Sequence, residues 1–481
     1  MGLITTSTHI FYCLTEGTEM REEGDNLVVH SPFFQITISR LSPGLHDVLR
    51  RLEHTPCSMQ WINEAIYAAH EESQLTTFYR YISSLLRHQM VHICVGRTAD
   101  TMPLASLYPM SISFQHQWIN IKVEQVYRMS RFAYLHRGED GLQYLESPLA
   151  HACIQLHAPL VATLVYQLGT AMTPPELARA LGEEELDLVA SIVALLLMGN
   201  FAAATRDDGR LGEDSNEALR QWEFHDLLFH SRSRVGRHNN MVGGTYRFLH
   251  QIQPQPVVKQ SQWPVTLQLP QPDMARICSV DPPFATVMEE RCSIRTYDKQ
   301  PITLDQLSEF LYRVARVKAT YIYGEGSELS KRPYPGGGAS YEIEFYLTID
   351  HCAGLPPGLY WYDPLKHALA LIRETDQDTE RLLIDACQSM GDCDQLQVLI
   401  TLAARFQRVS WKYQSIAYAL ILKDVGVLYD TMYLVATAMQ LAPCALGAGD
   451  ADLFSKLIGS DYFQETSVGE FTLGSKATLE S

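Results

Sequence analysis

At 481 residues and 54.4 kDa the chain exceeds one ordinary hydrophobic core, so two to four domains of ~100–200 residues are expected. A composition 46% apolar and 19% charged excludes a disordered chain, and 38 Lys and Arg against 55 Asp and Glu give a net charge of −17. So acidic a chain repels phosphate backbones, no basic face offsets the charge, and nucleic acid is not an expected partner.

The first residues, Met1-Gly2-Leu3-Ile4-Thr5-Thr6, have no basic n-region or long apolar core, so no signal peptide is expected; their fit to the loose myristoylation pattern is too short to assign anything. The alternation of Phe34, Ile36 and Ile38 predicts a strand. Ser42-Pro43 opens a helix through Leu52, further helices follow at Trp61–Ala69 and Phe78–Leu86, and Met90–Val95 is β-like. A second copy of this order starts with a helix over Pro159–Leu168. Thr173-Pro174-Pro175-Glu176 then gives an N-cap, a proline at N1 and a Glu at N3. The helix Leu186–Met198 leads into the β-like Phe201–Thr205, read as a hairpin. Leu188–Met198 is an apolar run of eleven residues, against roughly 20 for a membrane span, so no membrane association is expected.

Helix, capped helix, helix and hairpin is the order of a winged helix. The third helix has no Lys or Arg, so DNA reading is disfavoured; a packing module and a peptide-docking module both remain open. Polar Arg206–Ser215 breaks the pattern, and Gln253–Pro272, with five prolines, opposes helix and central strand and reads as a linker or an extended wrapping arm. The organisation expected is a winged-helix-like module over 1–100, a second over 101–210, a linker or wrapping segment over 211–272, and an α+β domain over 273–481.

In that last domain, helices are expected at Phe284–Glu289 and from the capped start at Thr303 to Val314. Strands are expected at Glu342–Thr348, Gly358–Tyr362, Ala368–Ile372 and Gln397–Ala403, the middle two as a hairpin. A long helix, Gln414–Leu441, reads as a central, largely buried element.

Three segments there can carry chemistry. Arg291-x-Ser293-x-Arg295 sets two guanidinium groups around one hydroxyl, which suits a phosphate; a solvated charged turn is the alternative. In Pro335-Gly336-Gly337-Gly338 no Cβ keeps a flat or anionic ligand from the backbone N–H groups; a flexible loop is the alternative. Trp411-Lys412-Tyr413, placed at the start of the long helix, sets a phenol beside a cation, where its ionised form is favoured; a core Tyr with a snorkelling Lys is the alternative.

Other candidates carry less. Gly324-Glu325-Gly326 and Gly447-Ala448-Gly449 lack the third glycine of a dinucleotide fingerprint. His225 and His230 lie about 140° apart around a helix, and no metal centre is expected. Ten cysteines without CxxC pairs argue against a zinc ribbon or a disulfide framework and for a reducing, cytoplasmic setting, with Cys387 and Cys393 read as merely structural.

Taken together, these segments resemble the SagB-type dehydrogenases, nitroreductase-fold flavoenzymes that oxidise azolines in ribosomal peptide pathways, over about Pro282–Gly474. Arg291-Cys-Ser293-Ile-Arg295 looks like that family's flavin-phosphate motif. Pro335–Glu344 is similar to its Pro-Ser-x-Gly-Ala-x-Tyr-x-x-Glu segment, with Gly336 where the family has Ser. Gly358-Leu-Tyr-Trp-Tyr-Asp-Pro364 and Phe471-Thr-Leu-Gly474 also fit, and Lys412-Tyr413 matches the family's catalytic pair. Upstream, Trp222–His230, Arg232-Ser-Arg234 and Gly243-Gly-Thr-Tyr246 resemble a segment of its long members, and the tandem winged helices most resemble those of the cyanobactin oxidases.

The resemblance implies FMN, held by Arg291, Ser293, Arg295, Pro335, Gly336, Gly337, Gly338, Glu344, Ala445, Leu446 and Gly447. It further implies a homodimer with flavins at its interface, an azoline-containing precursor peptide as substrate, and oxidation of thiazoline or oxazoline to thiazole or oxazole. Tyr413 is then the base, with Lys412 lowering its pKa or holding the substrate, and the roles can be exchanged. Dioxygen would reoxidise the flavin. An NAD(P)H-fed nitro- or quinone reductase and a flavin-free peptide-binding scaffold are the alternatives.

Overall fold

The computed structural model describes residues 2–39, 41–69, 71–323, 327–391, 393 and 395–477, so the Gly324-Glu325-Gly326 segment lies outside the described residues. The chain divides into two compact units, Met1–Asn240 and Met241–Ser481, the boundary falling inside the segment read as a linker. No helix among the described residues is long and apolar enough to cross a membrane.

The first unit is built on a seven-stranded antiparallel sheet. Its spatial order is Tyr134–Arg137, Gln143–Glu146, Ala152–Leu156, Ala105–Pro109, Val91–Val95, Ile10–Leu14, Cys57–Ser58. Three helices, Pro43–Leu52, Met59–Ala68 and Leu75–Arg87, precede Val91–Val95, and the first is capped by Ser42, whose hydroxyl accepts from the Leu45 N–H. The second copy holds Pro159–Gln167, Pro174–Leu181 and Leu186–Met198, with Glu176 accepting from the Thr173 N–H at 2.8 Å. Its terminal strand, Ala202–Ala204, makes no hairpin with the residues after it and pairs backwards with Tyr127–Met129 instead. The reason is local: Gly209 turns the chain at φ +75°, and short helices replace the second hairpin strand. The helix Leu186–Met198 is buried on nearly every side, as its apolar run, broken only by the buried Ser191, requires.

The second unit has its own seven-stranded antiparallel sheet, ordered Leu267–Gln268, Ala368–Glu374, Gly358–Asp363, Ile343–Ile349, Val398–Arg405, Glu465–Ser475, Leu441–Leu446. Both faces are covered. The long helix Ala417–Ala438 and the helix Leu304–Ala315 close one face through Ile421, Leu428, Met432, Phe310 and Leu311. The helices Gln377–Ser389 and Ala451–Ile458 close the other through Leu382, Phe454 and Leu457. Fully burying a side chain such as Leu428 or Met432 contributes about 1.5–3 kcal/mol.

The long helix is shorter and less buried than its apolar sequence suggests. It starts at Ala417 because Ser415 takes φ +62°, and it leaves Tyr418, Leu422 and Val427 at 47%, 38% and 39% exposure, since the sheet covers only one stripe of it. Cys387 and Cys393 are structural, as read, but through a disulfide that the lack of CxxC pairs argued against; it joins them across the turn after Gln377–Ser389, with the Cα atoms 5.0 Å apart.

The proline-rich stretch is a wrapping arm. Proline has no N–H, so the arm pairs with the sheet only over the short Leu267–Gln268, and carbonyls before it take side-chain donors instead. Arg408 donates to the Gln255 carbonyl at 2.8 Å, and Arg405 donates to those of Pro256 and Val257 at 2.8 and 3.2 Å. Lys259 reaches the Glu465 carboxylate and the Tyr346 hydroxyl, both at 2.6 Å. Burial, then the neighbouring Arg405 charge, pulls the Arg408 guanidinium down to about 10.

Candidate functional site

Two groups of polar residues lie along the long helix Ala417–Ala438. Near its start, the Gly-rich loop meets the Lys412-Tyr413 couple. These two residues are not in the first helical turn, as the sequence suggested; Tyr413 and Gln414 form a two-residue strand paired with Gly243-Gly244. The Lys412 ammonium lies 5.2 Å from the centre of the Tyr413 ring and 5.8 Å from that of Tyr246, and it donates to the Gly338 carbonyl at 3.2 Å. Gly338 sits at φ +57°, and a Cβ there would overlap the Tyr413 hydroxyl and come within 2.7 Å of Lys412 Nζ. Only glycine lets the loop approach the couple this closely. Ala339 and Tyr341 are left-handed as well, at φ +55° and +47°.

The loop is anchored from behind. Asp424, on the buried stripe of the long helix, accepts the Gly337 N–H with both carboxylate oxygens, at 3.0 and 2.8 Å. Glu342, at 0% exposure, lies within the electrostatic reach of Asp424, and its two oxygens have no hydrogen-bond partner among the described residues. Burial first, then the Asp424 charge, pushes the Glu342 carboxyl up to about 8; burial also raises Asp424, opposed by the Gly337 N–H.

Towards the other end of the helix, Arg291, Ser293 and Arg295 come together with Ala445. The Ser293 and Tyr433 hydroxyls are 2.7 Å apart, the Ala445 N–H donates to Tyr433 at 2.8 Å, and the Ile294 N–H donates to the Pro443 carbonyl at 2.9 Å. Arg291 lies over the Tyr433 ring at 5.4 Å. Both Arg291 and Arg295 are exposed, and neither ion-pairs with a carboxylate among the described residues. Exposed guanidinium groups flanking a hydroxyl suit the phosphate of FMN, so this end of the site fits the group.

The remaining expected residues divide. Pro335 is exposed and Gly336 lies against the Tyr341 ring, both in the loop. Leu446 is buried and accepts at its carbonyl from Tyr429, whereas Gly447 is exposed. Glu344 is not brought to either group. It is buried in the strand Ile343–Ile349, ion-paired with Arg405 at 2.9 Å and accepting from the Trp361 indole at 3.3 Å. Strand alternation turns it to the face opposite Ile343, Phe345 and Leu347. Burial raises its carboxyl, and Arg405 opposes the shift.

Sequence reasoning passed over Asp424, Glu342 and Tyr433. Asp424 had a signal, a lone carboxylate on the apolar stripe of Ile421, Val425 and Leu428. From Asp424 to Tyr433 is nine residues of helix, about 13 Å, which separates the two groups within one chain.

Residues 7–118 match the ThcOx helix turn helix domain, residues 127–239 the cyanobactin oxidase ThcOx family, and residues 288–475 the nitroreductase family. A Methanocaldococcus jannaschii protein named a "putative nitroreductase" is 26% identical over 183 residues, 38% of this chain and 85% of the relative. A solved structure of the same description from Ralstonia eutropha JMP134 is 20% identical, with a TM-score of 0.34, covering 47% of this chain and all of the other. A chain of the E. coli microcin synthetase McbBCD complex with truncated pro-MccB17 is 18% identical, with a TM-score of 0.33, covering 56% of this chain and all of the other.

Proposed function

We propose that this chain, with segments matching the cyanobactin oxidase and nitroreductase families, is an oxidoreductase that oxidises azoline rings of a precursor peptide to azoles with FMN. The observation that carries this reading is the Lys412-Tyr413 couple packed against Gly338 in the same domain that presents the exposed Arg291 and Arg295.

Arg291, Arg295 and Ser293 would hold the phosphate, and Gly336 to Gly338 would line the ring side of the site. FMN, when bound, would supply a two-electron acceptor for the hydride, one that dioxygen could reoxidise. The chain's own part is the proton. The ring hydrogen of an azoline is acidified by the adjoining imine and carbonyl. Tyr413 would take it at its phenol oxygen, while the Lys412 ammonium, 5.2 Å from the centre of the Tyr413 ring and 5.8 Å from that of Tyr246, orients the phenol. The proton and the hydride leave together as two hydrogens, and the product gains aromaticity.

The partners proposed are the peptide and a second copy of the chain. Tyr418, Leu422 and Val427 of the long helix, with Phe284 and Met288 of the helix Phe284–Glu290, expose apolar surface of the kind that a homodimer covers. The winged-helix unit is proposed to dock the peptide.

The test is a visible spectrum of the purified chain followed by mass spectrometry of an azoline peptide. A yellow protein and a loss of about two mass units per ring are expected. A yellow protein that consumes NADPH steadily and leaves the ring intact would replace this reading with a reductase, and a colourless protein that binds the peptide would replace it with a scaffold.

A further inference from the structure

The outer face of the first unit's sheet carries a sulfur- and nitrogen-rich cluster that the proposed oxidation does not use. The strands Ile10–Leu14 and Val91–Val95 pair antiparallel, with Phe11 opposite Cys94 and Cys13 opposite His92. Alternation sends Ile10, Tyr12, Val91, Ile93 and Val95 into the core, so Cys13, His92 and Cys94 share the opposite face. One ligand atom from each lies within 4.8 Å of the other two, and the two sulfurs are 3.1 Å apart.

We propose that Cys13, His92 and Cys94 bind one zinc ion, with solvent as the fourth ligand. Two thiolates and an imidazole are a donor set that zinc takes in tetrahedral geometry at ~2.3 Å to sulfur and ~2.0 Å to nitrogen. Those bond lengths put two bound sulfurs roughly 3.7 Å apart, so the pair needs to open by about half an ångström. Binding releases the thiol protons.

The surroundings are those that orient metal ligands. The His92 ring stacks on Tyr108 at 4.5 Å and 17°, which sets its plane, and its Nδ1 lies 3.5 Å from the Thr15 hydroxyl. Ser106 stands 3.3 Å from the Cys94 sulfur and is itself held by His157 at 2.9 Å. Cys94 is 4% exposed while Cys13 and His92 are half-buried, so the open position faces outward from the sheet. A bound ion would cross-brace the first strand of the unit's sheet with a strand some 80 residues later in the chain.

The experiment uses the full chain, purified with its thiols reduced, stripped with a chelator and titrated with cobalt(II) as a spectroscopic substitute for zinc. The visible bands of tetrahedral, thiolate-bound cobalt should saturate at one equivalent per chain and be displaced by zinc. Cys94→Ser should abolish them and His92→Ala should weaken binding at least tenfold, while Cys278→Ser, at an exposed cysteine elsewhere, should leave them unchanged. No bands in the unmodified chain, bands that survive Cys94→Ser, or a mass showing Cys13 and Cys94 joined as a disulfide under the same reducing conditions would each overturn the proposal. The titration of the unmodified chain decides the matter even if a variant fails to fold.

Discussion

Asp424 grips Gly337 by accepting one backbone N–H with both carboxylate oxygens, at 3.0 and 2.8 Å, and so ties the Gly-rich loop to the long helix. A buried N–H that loses its acceptor costs about 1–3 kcal/mol. Asp424→Ala should therefore destabilise the protein by that amount in chemical denaturation and loosen the loop on which Gly338 presents itself. Undiminished stability would show that the contact contributes nothing.

Glu342 provides a pH signature. Its carboxyl is raised in the folded chain to about 8, from an ordinary 4.5, so between those values the folded state holds more protons than the unfolded one. Stability contributed by this group is fully present below about 4.5 and is lost as pH rises through about 8. Glu342→Gln keeps the shape without the charge. It should flatten the decline of Tm between pH 5 and 8 and raise Tm at pH 8 by roughly 2–4 °C for each kcal/mol regained. A variant whose Tm falls with pH as steeply as the parent's would rule out this role.

Gly338→Ala forces a Cβ into the Tyr413 hydroxyl at a left-handed φ of +57°. A cost of about 1 kcal/mol or more in stability and a fall in turnover of at least roughly tenfold are expected, because Tyr413 has to move. Turnover equal to the parent's would mean that the close approach has no catalytic meaning.

Lys412→Ala and Tyr413→Phe should each leave FMN bound and reduce azoline oxidation by ~10²–10⁴, the usual worth of a positioned acid or base. The flavin absorption of the purified variants separates the outcomes. Colour retained with activity lost supports the assignment, and colour lost in both makes the pair structural.

Arg291→Ala and Arg295→Ala should each weaken FMN binding by roughly tenfold or more, since a hydrogen bond to a charged group contributes about 1.5–3 kcal/mol. Fluorescence titration of the stripped protein with FMN measures this directly. Affinity unchanged in both would move the phosphate elsewhere.

Much of the secondary structure was legible along the chain. Ser42, Thr173 and Thr303 announce helix starts by their caps, and Leu186–Met198 announces its own burial. Strands were read where they alternate or run apolar, as at Gly358–Asp363. They were missed where pairing alone defines them, as at Tyr134–Arg137 and Gln143–Glu146, whose polar residues become strands by joining a sheet edge. Lys412 and Tyr413 were legible as residues but misplaced, because the left-handed Ser415 that cuts them from the helix has no sequence signature comparable to a glycine.

By itself, the order of residues determined which side chains could do chemistry: two arginines around a serine, three glycines, a lysine next to a tyrosine. Those are local matters of residue type and spacing, and they survive any folding. Only the tertiary structure decided what each one faces. It turned Glu344 inward to Arg405, raised Glu342 by burying it beside Asp424, and laid Cys13 against Cys94 across two strands. Burial and long-range pairing set charge and contact, and neither is written in the neighbours along the chain.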